Sequence, residues 1–161
     1  LTRINNRKTF ADRFQSEFAY ALRHRRFCSL IILDIDHFKK VNDTYGHQAG
    51  DYVLRQLSQV ISDMIRSEDL FARYGGEEFV ILARDTDEEK AFIFSMRVRR
   101  AIEKCEFKFQ GQQIPVTISL GVATLSNANF HDHNEMFKTA DEYLYKAKNN
   151  GRNRVESALT H

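Results

Sequence analysis

Proline occurs once in the 161 residues, at Pro115, and there is no internal repeat or low-complexity tract, so nothing in the sequence reads as a linker that divides it. Cysteine occurs twice, as Cys28 and Cys105, without a CxxC or CxxH spacing and in apolar segments. That excludes a disulfide framework or zinc site and points to a reducing, cytoplasmic compartment. No apolar run approaches the roughly 20 residues needed to cross a bilayer, and the start at Leu1 lacks the layout of a signal peptide, so no membrane contact is expected of this chain. An excess of one charge is missing too. Basic and acidic residues number 24 and 22, a net +2, which excludes the dense basic surface that binds a nucleic acid polymer. An anionic ligand must be held locally. What is present is 42% hydrophobic and 12% aromatic residues, enough to bury one core, and a single domain over 1–161 is expected. Since no methionine opens it, the chain is expected to be a fragment of a longer protein.

Phe10, Phe14, Phe18 and Leu22 recur at helical spacing and predict an amphipathic helix that the cluster Arg23-His24-Arg25-Arg26 ends. Cys28 to Asp34 is an apolar run without alternation, which predicts a strand buried on both faces. Val53, Leu57, Val60, Ile61 and Met64 predict a second helix running to about Arg66, followed by a strand from Leu70 to Tyr74. Gly75-Gly76 reads as a tight hairpin turn using positive φ, with Phe79 to Leu82 as the returning strand and Glu77 and Glu78 at the tip. A third helix is expected over about Asp87 to Lys104. A hairpin-like stretch should then join Phe107–Phe109 to Val116–Val122. The last helix carries Met136, Ala140, Leu144 and Ala147 and stops at Asn150-Gly151. Such an alternation gives an α/β or α+β sheet covered by helices.

Asp34-Ile35-Asp36 follows the buried strand, where ligands collect in sheets of this kind. Mg²⁺ takes one or two carboxylates and leaves its other positions to water and phosphate, so Asp34 with Glu77 would suffice. The residues alone leave open a plainer reading, in which Asp36 caps the helix starting at His37 and the glutamates are solvated turn residues. The amides of His37, Phe38 and Lys39 would open that helix and could cradle phosphate, or simply meet water. Asn42 and Asp51 bracket a glycine-containing loop. A carboxylate at Asp51 would accept from guanine N1 and N2 and exclude adenine, although such residues also serve as turn and capping groups.

Gly75-Gly76-Glu77-Glu78-Phe79 resembles the signature of the GGDEF family of diguanylate cyclases, in its GGEEF form. Further segments match that family: Leu1-Thr2 with Asn6-Arg7, Asp34-Ile-Asp-His-Phe-Lys-Lys-Val-Asn42-Asp, Gly46-His47 with Gly50-Asp51, and Ala140-Asp-Glu-Tyr-Leu-Tyr-Lys-Ala-Lys148-Asn-Asn-Gly-Arg152-Asn. The resemblance covers essentially the whole chain. It implies a central, mostly antiparallel sheet surrounded by helices, similar to the palm of nucleotide cyclases and polymerases. It assigns Asp34, the Ile35 carbonyl and Glu77 to two Mg²⁺ or Mn²⁺ ions, Asn42 and Asp51 to guanine, and Lys148 and Arg152 to the terminal phosphates of GTP. The amides of His37, Phe38 and Lys39 match the family's phosphate cradle. Without the family, Lys148 and Arg152 would read as solvated charges at a helix C-terminus.

Arg66-Ser-Glu-Asp69 resembles the family's RxxD inhibitory site for cyclic di-GMP, and Arg97 resembles its secondary arginine; the plainer reading is an exposed ion pair worth well under about 1 kcal/mol. Two departures are Arg3 in place of a glycine and a glutamate, Glu77, in place of the signature aspartate, the second keeping the carboxylate. The implied reaction is attack of one GTP 3′-hydroxyl on the α-phosphate of another, twice, with Glu77 or Glu78 as candidate proton acceptor. One domain holding one GTP implies a homodimer. Dimerisation, sensory input and any membrane anchor are expected in upstream sequence. A rival reading is an inactive GTP or cyclic di-GMP receptor. Degenerate relatives usually lose the signature glycines or carboxylates, which this chain keeps. A third reading, turnover of ATP, is opposed by Asp51.

Overall fold

The structure is a computed structural model that describes residues 4–161; the matches at Leu1-Thr2 and the departure at Arg3 lie outside the described residues. In chain order the elements are β1 (Ile4–Asn5), α1 (Arg7–His24), β2 (Cys28–Ile35), α2 (Phe38–Tyr45), α3 (His47–Ser62), β3 (Leu70–Arg73), β4 (Glu78–Arg84) and α4 (Glu88–Lys104). There follow β5 (Lys108–Phe109), β6 (Gln112–Gln113), β7 (Ile118–Leu125), α5 (His133–Asn149), β8 (Val155–Glu156) and a closing 3₁₀ turn, Ala158–Thr160. The main sheet has the order β1-β3-β4-β2-β7-β8. Its four inner strands pair antiparallel, and the short edges β1 and β8 pair parallel.

β2 reads as an unbroken apolar run because it lies in the middle of this sheet with both faces covered. Leu30 and Ile32 turn toward α1 and α5 and join Phe10, Phe14, Phe18, Met136 and Leu144. Ile31, Leu33 and Ile35 turn toward α3 and α4 and join Val53, Leu57, Ile61, Val98 and Ile102. The helices begin where side chains satisfy free amides: Asn6 accepts from Thr9 N at 2.8 Å, Asp87 from Lys90 N at 2.9 Å and Asp132 from Glu135 N at 2.9 Å.

Four local expectations are corrected. Leu22 is 36% exposed, and Ala21 fills the buried position, because the helical stripe has rotated by its last turn. α3 stops at Ser62 rather than near Arg66. Phe107–Phe109 does not pair with the strand after Pro115; β5 pairs with β6 through Gln110 and Gly111, whose φ of 50° and 81° match a two-residue turn of the type that suits hairpin twist. Gly75 and Gly76 turn the β3–β4 hairpin without positive φ.

Candidate active site

Asp34 sits at the end of the central strand, with Glu78 opposite it on β4 and Ser119 on β7. Glu77 precedes β4, and its carbonyl accepts from Ile35 N at 3.3 Å, which seats the hairpin tip on the strand that carries Asp34. The signature turn is clasped by a residue that sequence reasoning missed. Arg73 donates from Nε to the Gly75 carbonyl at 3.2 Å and from Nη2 to the Gly76 carbonyl at 2.6 Å. Its place two residues before the glycines is its only local signal.

Asp34 is buried. Lys148, from the last turn of α5, donates to its Oδ2, while Oδ1 is buried without a partner. A buried carboxylate oxygen left unpaired costs free energy that a cation would recover. Burial pushes the Asp34 carboxyl above its ordinary range against the hydrogen bond and charge of Lys148. Glu77 is pushed up by burial and then by Asp34, and Glu78 by burial, Asp141 and Asp34. Burial thus disfavours the charge of all three carboxylates, and the Asp34 charge adds to that at Glu77 and Glu78, a donor set that suits a hard cation. Among the described residues no cluster of three or more His, Cys, Asp or Glu could by itself hold a metal ion. Few protein ligands, with water and phosphate completing the shell, is what Mg²⁺ accepts.

Asp36 neither joins this cluster nor caps a helix. It is 8% exposed, accepting from Ser119 Oγ at 2.6 Å, Thr117 Oγ1 at 2.8 Å and Asn153 N at 3.0 Å. His37 is left-handed at φ 54°, and α2 starts one residue later than expected, at Phe38, with no side-chain cap on its first amides. No side chain takes up those amides, and Lys39 is exposed and paired to Asp43 at 3.0 Å.

Asn42, on α2, is half-buried and lies over Gly50, where an added Cβ would come within 1.8 Å of its Oδ1. Asp51, next on α3, is exposed and lines a cavity of about 750 Å³ with Ile4, Asn5, Leu54, Arg55 and Arg73. Asn42 is not in that lining; it lies against α3 at Gly50, the residue before Asp51. Lys148 is no solvated charge, since it pairs with Asp34; Arg152 is exposed, beyond the end of α5, at φ 63°.

Arg66 and Asp69 lie at the opposite end of the sheet, some 20 Å away at strand rise along β4. The pair is more than an exposed contact. Arg66 Nη2 donates to Asp69 Oδ1 at 3.2 Å, to the Arg84 carbonyl at 2.7 Å and to Thr86 Oγ1 at 2.9 Å, and the Asp69 side chain is 4% exposed. Arg97 is exposed on α4, with no hydrogen bond or ion pair to either residue.

A family model described as diguanylate cyclase, GGDEF domain, matches residues 1–154. The diguanylate cyclase DosC of Escherichia coli K12 is 40% identical over 158 residues, covering 97% of this chain and 34% of DosC. The chain thus spans about a third of the length of the curated relatives it matches. The GGDEF domain of DgcB from Caulobacter crescentus, solved in complex with c-di-GMP, has a TM-score of 0.91 at 33% identity, covering 97% of this chain and 92% of that one. The active GGEEF domain of a diguanylate cyclase from Vibrio cholerae has a TM-score of 0.86 at 38% identity and covers 96% of each. With a family model over residues 1–154, a relative 40% identical across nearly the whole chain and the same sheet and helices as the solved domains, the chain belongs to the GGDEF domain family of diguanylate cyclases.

Proposed function

We propose that this domain condenses two GTP molecules into cyclic di-GMP and two pyrophosphates. The observation that carries the reading is the unpartnered Asp34 Oδ1 near the end of the central strand, on a residue whose charge is felt by both glutamates of the signature. Asp34, the Ile35 carbonyl and Glu77 would hold Mg²⁺ or Mn²⁺. Two such ions, when bound, supply charge neutralisation at the phosphates and acidify the attacking 3′-hydroxyl. Asp51 and Asn42 read the guanine edge, the first amides of α2 at Phe38 and Lys39 with that of His37 bind phosphate oxygens, and Lys148 and Arg152 neutralise the terminal phosphates. The hydroxyl proton passes to one of Glu77 and Glu78, whose raised pKa values bring them closer to the working pH of a base. One base pocket per chain requires two chains facing each other, so the active species is a homodimer.

The test is incubation of the 161-residue chain, at high concentration, with GTP and Mg²⁺ or Mn²⁺, with ATP in parallel, and identification of products by mass spectrometry. Cyclic di-GMP from GTP alone is the expected result. No product, even with dimerisation forced by a fused coiled coil, would leave a nucleotide receptor in place of a cyclase.

Gly50→Ala should raise KM for GTP about tenfold with the melting temperature nearly kept, because the new Cβ displaces the end of the Asn42 side chain rather than backbone. Unchanged KM would remove Asn42 from base recognition. Arg66, Asp69 and Arg97 are proposed to bind the product and inhibit. Arg66→Ala should therefore relieve inhibition by added cyclic di-GMP while leaving basal synthesis intact. If the inhibition curve does not move, the Arg66 contacts only clasp β3 to β4.

A further inference from the structure

Three consecutive residues after α5 have positive φ: Gly151 at 122°, Arg152 at 63° and Asn153 at 48°. Glycine takes this conformation freely and asparagine tolerates it, but arginine does not favour it, so the turn must be held by its surroundings. The Arg152 amide donates to the Ala147 carbonyl at 2.9 Å and closes the end of α5. The guanidinium of Arg152 has no hydrogen bond or ion pair among the described residues, so nothing on its own side chain sets its direction.

Asn153 supplies the remaining attachments. Its amide donates to Asp36 Oδ2 at 3.0 Å, its Nδ2 donates to Glu103 Oε2 at 2.6 Å, and its Oδ1 accepts from Arg99 Nη1 at 2.9 Å. Arg99, whose side chain is only 13% exposed, also pairs with Glu103 at 3.2 Å, so the two α4 partners are oriented by each other as well as by the asparagine. Hydrogen bonds from Asn153 and then Arg99 hold the Glu103 carboxyl below its ordinary range, which keeps it charged as an acceptor. Asp36, for its part, is fixed by Ser119 of β7 and by Thr117 just before it. It stands two residues from Asp34.

We propose that Asn153 is a positioning residue that aims Arg152 at the nucleotide's terminal phosphates by tying the turn after α5 to Asp36 on one side and to α4 on the other. The inference rests on the reading of Arg152 as a phosphate ligand. It also gives Asp36 a role, as the anchor of the phosphate side of the site rather than a metal ligand.

Two variants separate side chain from backbone. Asn153→Gly keeps the left-handed conformation at no steric cost and removes only the two side-chain bonds, and Asn153→Ala removes them and strains the turn as well. Binding of a non-hydrolysable GTP analogue and of GMP to the 161-residue chain would be measured with Mg²⁺ present, beside Arg152→Ala. The expected result is about tenfold weaker binding of the triphosphate in both Asn153 variants, unchanged binding of GMP, and little further loss when Arg152→Ala is added to Asn153→Gly. Equal weakening of GMP and the triphosphate would make Asn153 a structural residue and overturn the proposal. Loss of triphosphate affinity in Arg152→Ala but not in the Asn153 variants would overturn the positioning role alone. No loss in Arg152→Ala itself would overturn the phosphate reading of Arg152, and the proposal with it.

Discussion

Glu77→Gln should lower cyclic di-GMP synthesis by at least about a hundredfold, because residues that merely orient a metal's ligands are worth 10- to 100-fold and this change removes the charge of a proposed ligand outright. The amide is nearly isosteric, so the fold should survive. Glu77 is pushed up by burial and then by the Asp34 charge, which means the folded chain binds its proton more tightly than the unfolded chain does. With a raised carboxyl pKa, stability falls as pH rises from the unfolded pKa to the folded one, and the penalty persists above that window. Without metal, then, the Glu77→Gln chain should melt at or above the wild-type temperature at neutral pH, and the difference should shrink as pH falls through the carboxylate range. Thermal melts in EDTA at several pH values, beside synthesis assays in Mg²⁺, read both halves. Wild-type synthesis rates would take Glu77 out of the mechanism; a lost activity accompanied by a lower melting temperature would mean damaged folding instead of a missing ligand.

The same tension explains why a protein keeps such a cluster. Burial raises the carboxyls of Asp34, Glu77 and Glu78 above their ordinary range, with Lys148 working against all three and Arg7 against Glu78. If cations and a triphosphate complete this cluster as proposed, their binding should raise the melting temperature by mass action.

What could be read from the sequence follows from how local the cause is. The non-alternating run of β2, the periodic faces of α1, α3 and α5 and the closing Asn150-Gly151 depend on neighbours within a few residues, and they were legible. The placement of Glu77 in the hairpin turn was legible for the same reason, although Glu78 already belongs to β4 and the turn dispenses with the positive φ that its two glycines suggested. Asp36 was not legible as an anchor. Its partners Thr117, Ser119 and Asn153 lie 81, 83 and 117 residues away, and a carboxylate before a helix looks locally like a cap. Lys148 reaches Asp34 across 114 residues, so periodicity could place it only at a helix end. The family resemblance assigns Lys148, Arg152, Asn42 and Asp51 to one ligand without any local signal for their contacts, such as the bonds of Asn153 beside Arg152 or the approach of Asn42 to Gly50.

Gly121→Ala should be the most damaging single methyl group in the chain. Gly121 lies in the middle of β7, opposite Ile32 of the central strand, and α5 packs directly against it. A Cβ there would stand 2.2 Å from both the Ala140 carbonyl oxygen and the Leu144 amide nitrogen, and 2.9 Å from Leu144 Cα. These are backbone atoms, so no rotamer change relieves the clash and the helix itself must move. Overpacking of this kind costs about 1–3 kcal/mol, occasionally more, and a helix backbone that cannot yield places the cost at or above about 3 kcal/mol. For a chain of this length that is a fall of about 6–12 °C in melting temperature, measurable by far-UV circular dichroism. Activity should fall further than stability alone dictates, since lifting α5 carries Lys148 away from Asp34. Gly76→Ala is the paired control: its Cβ meets nothing within 4 Å and its backbone is not left-handed, so its stability should stay within about 1 kcal/mol of wild type. A Gly121→Ala chain that melts within about 2 °C of wild type would mean that α5 does not rest on β7 at this point. The position of Lys148 in the site would then need another support.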